Sequence, residues 1–429
     1  MLSKLKKLAV NCIIIFLSLL FTLFVTEILI RTTSKSSNSA IGSHHKSFCE
    51  FDPILGWKHI ANSKAIFETP ESKALLTFNS KGIRGPEYSY EKSKDEYRIL
   101  MLGDSFAEGY NVQFDELFSE VMKKELQARL KSVKSFQAIN MATGGWSTDQ
   151  EFLFFRTEGK KYNPDLVILF FYENDVWFNN QPKYWRGYKP LFAMKNGELI
   201  LTNVPLPETK ESKISTISED HKTSFPANLK SWFFYHSRLY NLIVTRIKKQ
   251  HVLYRWAAKL HLSREEFAPK NGGAQKSIAQ VPHDFRVWEK TYDDDIRAAW
   301  QITEELLESL KKEAASIHAD LLVFYVPGRE AVYDRVWNDT KEEYGISDTD
   351  WEVNQAGIEL DKICKKDEIN FLNPTELFRK EAKKGVRLYF ENDGHWNTQG
   401  HQLTANILTD YISSNYIETR EKSAENPSA

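Results

Sequence analysis

The chain reads as an α/β protein built on a mostly parallel sheet of about five strands. Three features carry that reading. Short apolar runs, of the kind that fill a sheet covered on both faces, recur near residues 98–102, 137–141, 166–171, 320–325 and 369–372. Segments with helical spacing stand between them; from Phe114 to Leu130, apolar residues fall at Leu117, Val121, Leu126 and Leu130, with acids early and bases late. Polar, often glycine-containing clusters close several of the runs, at the carboxyl ends of strands where open α/β sheets bind ligands.

At the start, the 23-residue run from Leu8 to Ile30 is apolar on all faces and reaches about 34 Å as a helix, enough to cross a bilayer core. Lys4, Lys6 and Lys7 precede it, so the expected topology is an uncleaved anchor over residues 1–34 with the rest of the chain on the non-cytoplasmic side. A cleaved signal peptide is the alternative; the run is long for one and no small-x-small site follows. Residues 35–95 read as a Ser- and Lys-rich tether and a lead-in segment of short β pieces with turn signals at Asp52-Pro53 and Asn79–Gly85. Within it, Arg84 is either a structural ion-pair partner or an anion binder, the former being the simpler reading.

The α/β rhythm runs over 96–178, lapses over 179–291 and resumes over 292–416, ahead of a polar tail at 417–429. The interruption reads as a helical insertion. Around its start stand Trp177, Phe178, Tyr184, Trp185, Tyr188 and Phe192, aromatics that either pack together or line a pocket beside a site. Its Ser231–Gln250 stretch is a basic amphipathic helix that either packs on the core or lies on an anionic surface. Asp293-Asp294-Asp295 opens the next helix, where acids complement the helix dipole without any metal.

Composition narrows the function. Lys plus Arg is 57 against 58 for Asp plus Glu, which gives no electrostatic basis for binding nucleic acid. No zinc-ligand spacing is present, and no cofactor or metal is expected. Of the three cysteines, Cys49 and Cys364 lie outside the anchor, and whether they pair is open.

Four clusters carry the chemistry. Gly103-Asp104-Ser105 follows the first strand; on these three residues alone, Ser105 is either a helix N-cap or a nucleophile lifted out of the strand end. Asn140–Gln150 contains Gly144-Gly145 after the second run, Tyr172-Glu173-Asn174-Asp175 ends the third, and Asn392-Asp393-Gly394-His395-Trp396 precedes the last helix.

Ser, Gly, Asn and His, in that order on that scaffold, resemble the SGNH/GDSL hydrolase family, over roughly 95–178 and 292–415. The resemblance implies a three-layer α/β/α flavodoxin-like domain and a serine esterase acting through an acyl-serine intermediate, with no cofactor. Ser105 is then the nucleophile, His395 the base and Asp393 the acid that orients it. Ser105 N–H, Gly145 N–H and the Asn174 amide form the oxyanion hole. Gly144 is the alternative to Gly145. The family's acid usually stands three residues before the histidine, where this chain has Asn392, so the role passes to Asp393. Tyr172 and Trp396 also depart from the usual pattern, in ways that concern pocket shape. Acyl groups on an envelope or extracellular glycan are the expected substrate. An acyltransferase using the same serine, and an inactive scaffold kept for binding, are the alternatives.

Overall fold

The computed structural model describes residues 48–209 and 280–418, apart from 70, 131, 132 and 185, together with scattered positions between Asn11 and Leu29. The chain divides into two compact units, Met1–Ile41 with Ser218–Ser277, and Gly42–Ile217 with Ile278–Ala429. In the first unit only the positions between Asn11 and Leu29 are described, and these are helical. Among the described residues no helix is long and apolar enough to cross a membrane. Much of the 8–30 run, the tether, the basic Ser231–Gln250 stretch and the tail beyond residue 418 lie outside the described residues.

The second unit begins with two hairpins, β1 (Cys49–Asp52) with β2 (Gly56–His59), and β3 (Lys64–Glu68) with β4 (Lys73–Thr77). The turn at 79–83 is held by the Asn79 side chain, whose Oδ1 accepts the N–H groups of Lys81 and Ile83 at 2.9 and 3.0 Å.

The central sheet follows. Strands β5 (Glu96–Gly103), β6 (Ser135–Asn140) and β7 (Leu166–Phe171) precede two small hairpins, β8 (Lys183–Tyr184) with β9 (Gly187–Tyr188) and β10 (Phe192–Lys195) with β11 (Glu198–Leu201). Strands β12 (Asp320–Tyr325) and β13 (Asn370–Leu372) complete it, in the spatial order β13-β12-β7-β5-β6 with every pair parallel. All five strands fall where the apolar runs place them.

Strand β7 shows why such runs are continuous rather than alternating. Val167, Leu169 and Phe171 enter one core while Leu166, Ile168 and Phe170 enter the other, and all six are buried. Helices Thr148–Thr157, Asp294–Ala315 and Gln355–Lys366 cover the first face; Phe118–Arg129, Thr375–Lys383 and Thr398–Ile412 cover the second. The result is a three-layer α/β/α unit. Asp293 caps the long helix, its side chain accepting the Ile296 N–H at 3.0 Å, so the acidic triplet serves the helix terminus.

The expectation of a helical insertion needs correction in its described parts. Residues 183–201 carry strands β8–β11, and residues 283–288 form a short 3-10 helix. Its aromatics Trp177 and Tyr184 pack against the first core, and Trp177 stacks on His283 with ring centroids 4.8 Å apart, which favours packing over a pocket lining. A fully buried ion pair, Lys189 with Asp149, ties β9 to the helix after β6, and the Lys189 ammonium also donates to the Phe178 carbonyl at 2.8 Å. Cys49 and Cys364 are buried free thiols, and burial pushes both up to about 12, which leaves them protonated and unreactive.

Candidate active site

Strands β6, β5 and β7 are neighbours in the sheet, and the turns at their carboxyl ends carry Gly145, Ser105 and Asn174 respectively. The chain leaves β5 into a one-turn helix, Ser105–Glu108, whose N-cap Asp104 accepts the Phe106 N–H at 2.9 Å. Gly103 allows this helix to sit close on the sheet: a Cβ there would come within 2.8 Å of Ala107 Cβ and 2.9 Å of Phe170 Cβ. Asn140 fixes the helix laterally, donating to the Ala107 carbonyl at 2.6 Å.

His395 arrives on a tight turn ahead of the last helix, closed by Phe390 N–H to the His395 carbonyl at 2.9 Å and Gly394 N–H to the Phe390 carbonyl at 3.2 Å. Its Nε2 lies 2.8 Å from Ser105 Oγ, and its Nδ1 hydrogen-bonds Asp393 Oδ1. Serine, imidazole and carboxylate therefore form one chain, and the turn explains how an acid two residues before the histidine reaches Nδ1. The Asn392 N–H, by contrast, is bound by Glu71 at 2.9 Å.

The Asp393 carboxylate is well provided with donors. The Tyr110 hydroxyl reaches Oδ1 at 3.2 Å, and the Asn111 amide reaches Oδ2 at 3.4 Å. Burial pushes the Asp393 carboxyl up, but the His395 charge and hydrogen bond, helped by Asn111 and Tyr110, bring it below the usual carboxylate range. Burial likewise pushes the His395 imidazole down, and the Asp393 charge and hydrogen bond more than reverse this, with Asp104 and Glu108 adding to the rise. Phe106 flanks the ring, with centroids 4.6 Å apart. Asp104 is itself raised to about 6 by burial.

The structure separates the two glycines. The Gly144 N–H is already engaged, donating to Glu108 Oε2 at 2.6 Å. Gly145 has φ +76°, a backbone conformation that other residues rarely adopt, and it is the more exposed of the two. Asn174 opens the helix after β7, and its Oδ1 is buried without a hydrogen-bond partner.

Several residues that support this arrangement carried no signal in the sequence. Glu108 is buried and also bonds His59 Nε2 at 3.1 Å, while His59 Nδ1 faces the Gly82 carbonyl at 3.0 Å. The Trp57 indole donates to the Gly144 carbonyl at 3.0 Å and the Trp146 indole to the Trp57 carbonyl at 2.9 Å, so β2 buttresses the turn that holds Gly145. The sequence reads Arg84 as an ion-pair partner or an anion binder; it is buried and bonds main-chain carbonyls instead. Its buried guanidinium donates to the carbonyls of Glu108, Gly109 and Val112 at 3.0, 2.7 and 2.6 Å, closing the segment that presents Tyr110 and Asn111. These partners are distant in sequence and each is an ordinary residue type, so only the folded chain shows their convergence. Among the described residues no group of three or more His, Cys, Asp or Glu side chains is arranged to hold a metal ion.

The unit is thus a three-layer α/β/α sandwich whose single parallel sheet carries a Ser–His–Asp hydrogen-bonded chain at its carboxyl edge. The sequence model of the GDSL-like lipase/acylhydrolase family matches residues 99–408, and the chain belongs to that family. It is accordingly an ester-hydrolysing enzyme. No curated protein matches the chain. Among solved structures it is similar to the acetylxylan esterase Axe2 of Geobacillus stearothermophilus, at 12% identity over 74% of this chain and 94% of that one, with a TM-score of 0.35. It is also similar to the acetyl xylan esterase AlAXEase (10% identity, 75% and 100% covered, TM-score 0.35). A third similar structure is a GDSL-like lipase of Bacteroides thetaiotaomicron (10% identity, 76% and 92% covered, TM-score 0.33).

Proposed function

We propose that Ser105, His395 and Asp393 are the catalytic residues of a serine esterase that removes acyl groups from an envelope or extracellular glycan. The observation that carries the reading is the unbroken chain from Ser105 Oγ through the imidazole to the Asp393 carboxylate. In the first half-reaction Ser105 Oγ attacks the acyl carbonyl carbon while His395 Nε2 takes the hydroxyl proton. The tetrahedral intermediate collapses, the C–O bond to the alcohol breaks, and the imidazolium returns the proton to the departing alkoxide. Water then attacks the acyl-serine, His395 takes a proton from it, and collapse of the second intermediate releases the carboxylic acid as Ser105 recovers its proton. Asp393 holds the imidazole tautomer and stabilises the imidazolium.

The negative charge that develops on the carbonyl oxygen is held by the Ser105 N–H, the Gly145 N–H and the Asn174 amide. The engagement of the Gly144 N–H by Glu108 supports Gly145 as the donor. The apolar Leu8–Ile30 run with three lysines before it supports a membrane anchor with the esterase unit on the non-cytoplasmic side, within reach of envelope glycans.

The test is hydrolysis of short p-nitrophenyl esters and of acetylated glycans by the full chain in detergent. Turnover of both classes, with release of acetate from the glycan, is expected. Labelling of Ser105 by a fluorophosphonate without hydrolysis of any ester would point to acyl transfer to a sugar hydroxyl instead.

A further inference from the structure

The β3–β4 hairpin lies ahead of the residues matched to the family, yet it touches both halves of the site. Glu71, in its turn, accepts the Glu391 N–H at 3.0 Å through Oε1, and the N–H groups of Asn392 and Asp393 at 2.9 and 3.3 Å through Oε2. The other flank of the hairpin is bound to the serine-bearing segment. The Gln113 amide donates to the Lys73 carbonyl at 2.9 Å and accepts the Leu75 N–H at 3.4 Å, and Phe67 packs edge-on against Tyr110 at 4.7 Å.

The turn that carries Asp393 and His395 closes its own bonds through Phe390, Gly394 and His395, leaving the successive N–H groups of 391–393 directed away from it. One carboxylate gathers all three, in hydrogen bonds strengthened by its charge. From outside the turn, Arg329 adds a bond to the Glu391 carbonyl at 2.9 Å. Because Glu71 binds the backbone of Asp393 itself, it fixes the origin of the carboxylate that meets His395 Nδ1.

We propose that Glu71 is a positioning residue for the ester-hydrolysing reaction, holding the 391–393 backbone so that Asp393 stays on the His395 imidazole. This rests on the reading of Ser105, His395 and Asp393 as the catalytic residues. A clamp of this kind acts on the transition state. A misplacement of about 1 Å costs on the order of 10²-fold in rate, and loosening the acid removes part of the charge that raises the imidazole.

The test compares wild type, Glu71→Ala, Glu71→Gln and Ser105→Ala as full chains on p-nitrophenyl acetate, with active sites titrated by a fluorophosphonate and melting temperatures recorded. Glu71→Ala should lower kcat per titrated site by about 10–100-fold, leave KM within about twofold, and move the acid limb of kcat/KM to lower pH. Glu71→Gln keeps one carbonyl oxygen for the Asn392 and Asp393 N–H groups and should fall between the two. If Ser105→Ala is inactive but both Glu71 variants keep wild-type kcat per site and an unmoved acid limb, the positioning role is overturned while the triad stands. A lower melting temperature with unchanged per-site kinetics overturns it equally. If Ser105→Ala hydrolyses the ester as well as wild type, the triad reading fails and this proposal with it. Should Glu71→Ala not fold, the kcat and acid limb of Glu71→Gln decide alone.

Discussion

The Ser105 hydroxyl oxygen lies 2.8 Å from His395 Nε2, although 290 residues separate them. The exit of β5 fixes one and a closed turn ahead of the last helix fixes the other. Substitution at each point of the chain should therefore have a graded effect. Ser105→Ala and His395→Ala should each lower kcat by a factor on the order of 10⁴–10⁶ while leaving the melting temperature near wild type. Asp393→Asn should cost less, up to about 10⁴-fold, because Tyr110 also reaches His395 Nδ1, at 3.2 Å. Asn392→Ala should cost far less than Asp393→Asn. Asn174→Ala should lower kcat more than it raises KM, by about 2.7–4 kcal/mol of transition-state stabilisation if its amide serves the oxyanion. Steady-state kinetics on one ester checks all five.

The same geometry sets the pH dependence. His395 must be neutral to accept the Ser105 proton, and its pKa lies above the ordinary imidazole value of 6.5, with burial opposing the rise and the Asp393 carboxylate carrying it. The acid limb of kcat/KM should accordingly lie above that value, with activity falling as pH drops through it. Asp393→Asn removes the main raising influence, so its residual activity should show an acid limb at lower pH than wild type. A limb that stays in place would detach the acid from the base.

Lys189 and Asp149 form an ion pair with both side chains fully buried. Lys189→Met strands the Asp149 carboxylate and should destabilise the fold by about 3–5 kcal/mol. Adding Asp149→Asn should recover much of that loss, and a double-mutant cycle in urea measures the coupling.

Glu173 precedes Asn174 and accepts the Trp288 indole N–H at 2.7 Å and the Tyr325 hydroxyl at 3.0 Å. Burial raises its carboxyl from 4.5 to about 8. Between those values the folded state keeps a proton that the unfolded state has released, so folding stability declines as pH rises through this window. Glu173→Gln keeps an acceptor oxygen for both donors and cannot ionise. Its stability should fall less than that of wild type between pH 5 and pH 8, and the two melting temperatures, compared across that range, test the sign.

The five strands and the four polar clusters were legible because each depends on local chemistry, a continuous apolar run closed by glycine and reactive side chains. Ser105, Asp393 and His395 fall into one hydrogen-bonded chain where the motif order implied. The proposal of Gly145 rather than Gly144 as an oxyanion donor draws its physical support only from Glu108, whose carboxylate engages the Gly144 N–H. Glu71, Trp57 and His59 could not be read at all, since a hairpin acid, a tryptophan and a histidine ahead of the core gain meaning only from partners far along the chain. The described part of the insertion forms β hairpins, and its aromatics, read as either packing together or lining a pocket, pack on the main core.

The central claim is that Ser105 carries the acyl group, and the most direct measurement is mass spectrometry of the full chain after reaction with a fluorophosphonate. The account predicts one adduct per chain, on the peptide containing Ser105, with loss of ester hydrolysis in proportion to labelling and no adduct in Ser105→Ala. An adduct on another residue, or wild-type hydrolysis by Ser105→Ala, would contradict it.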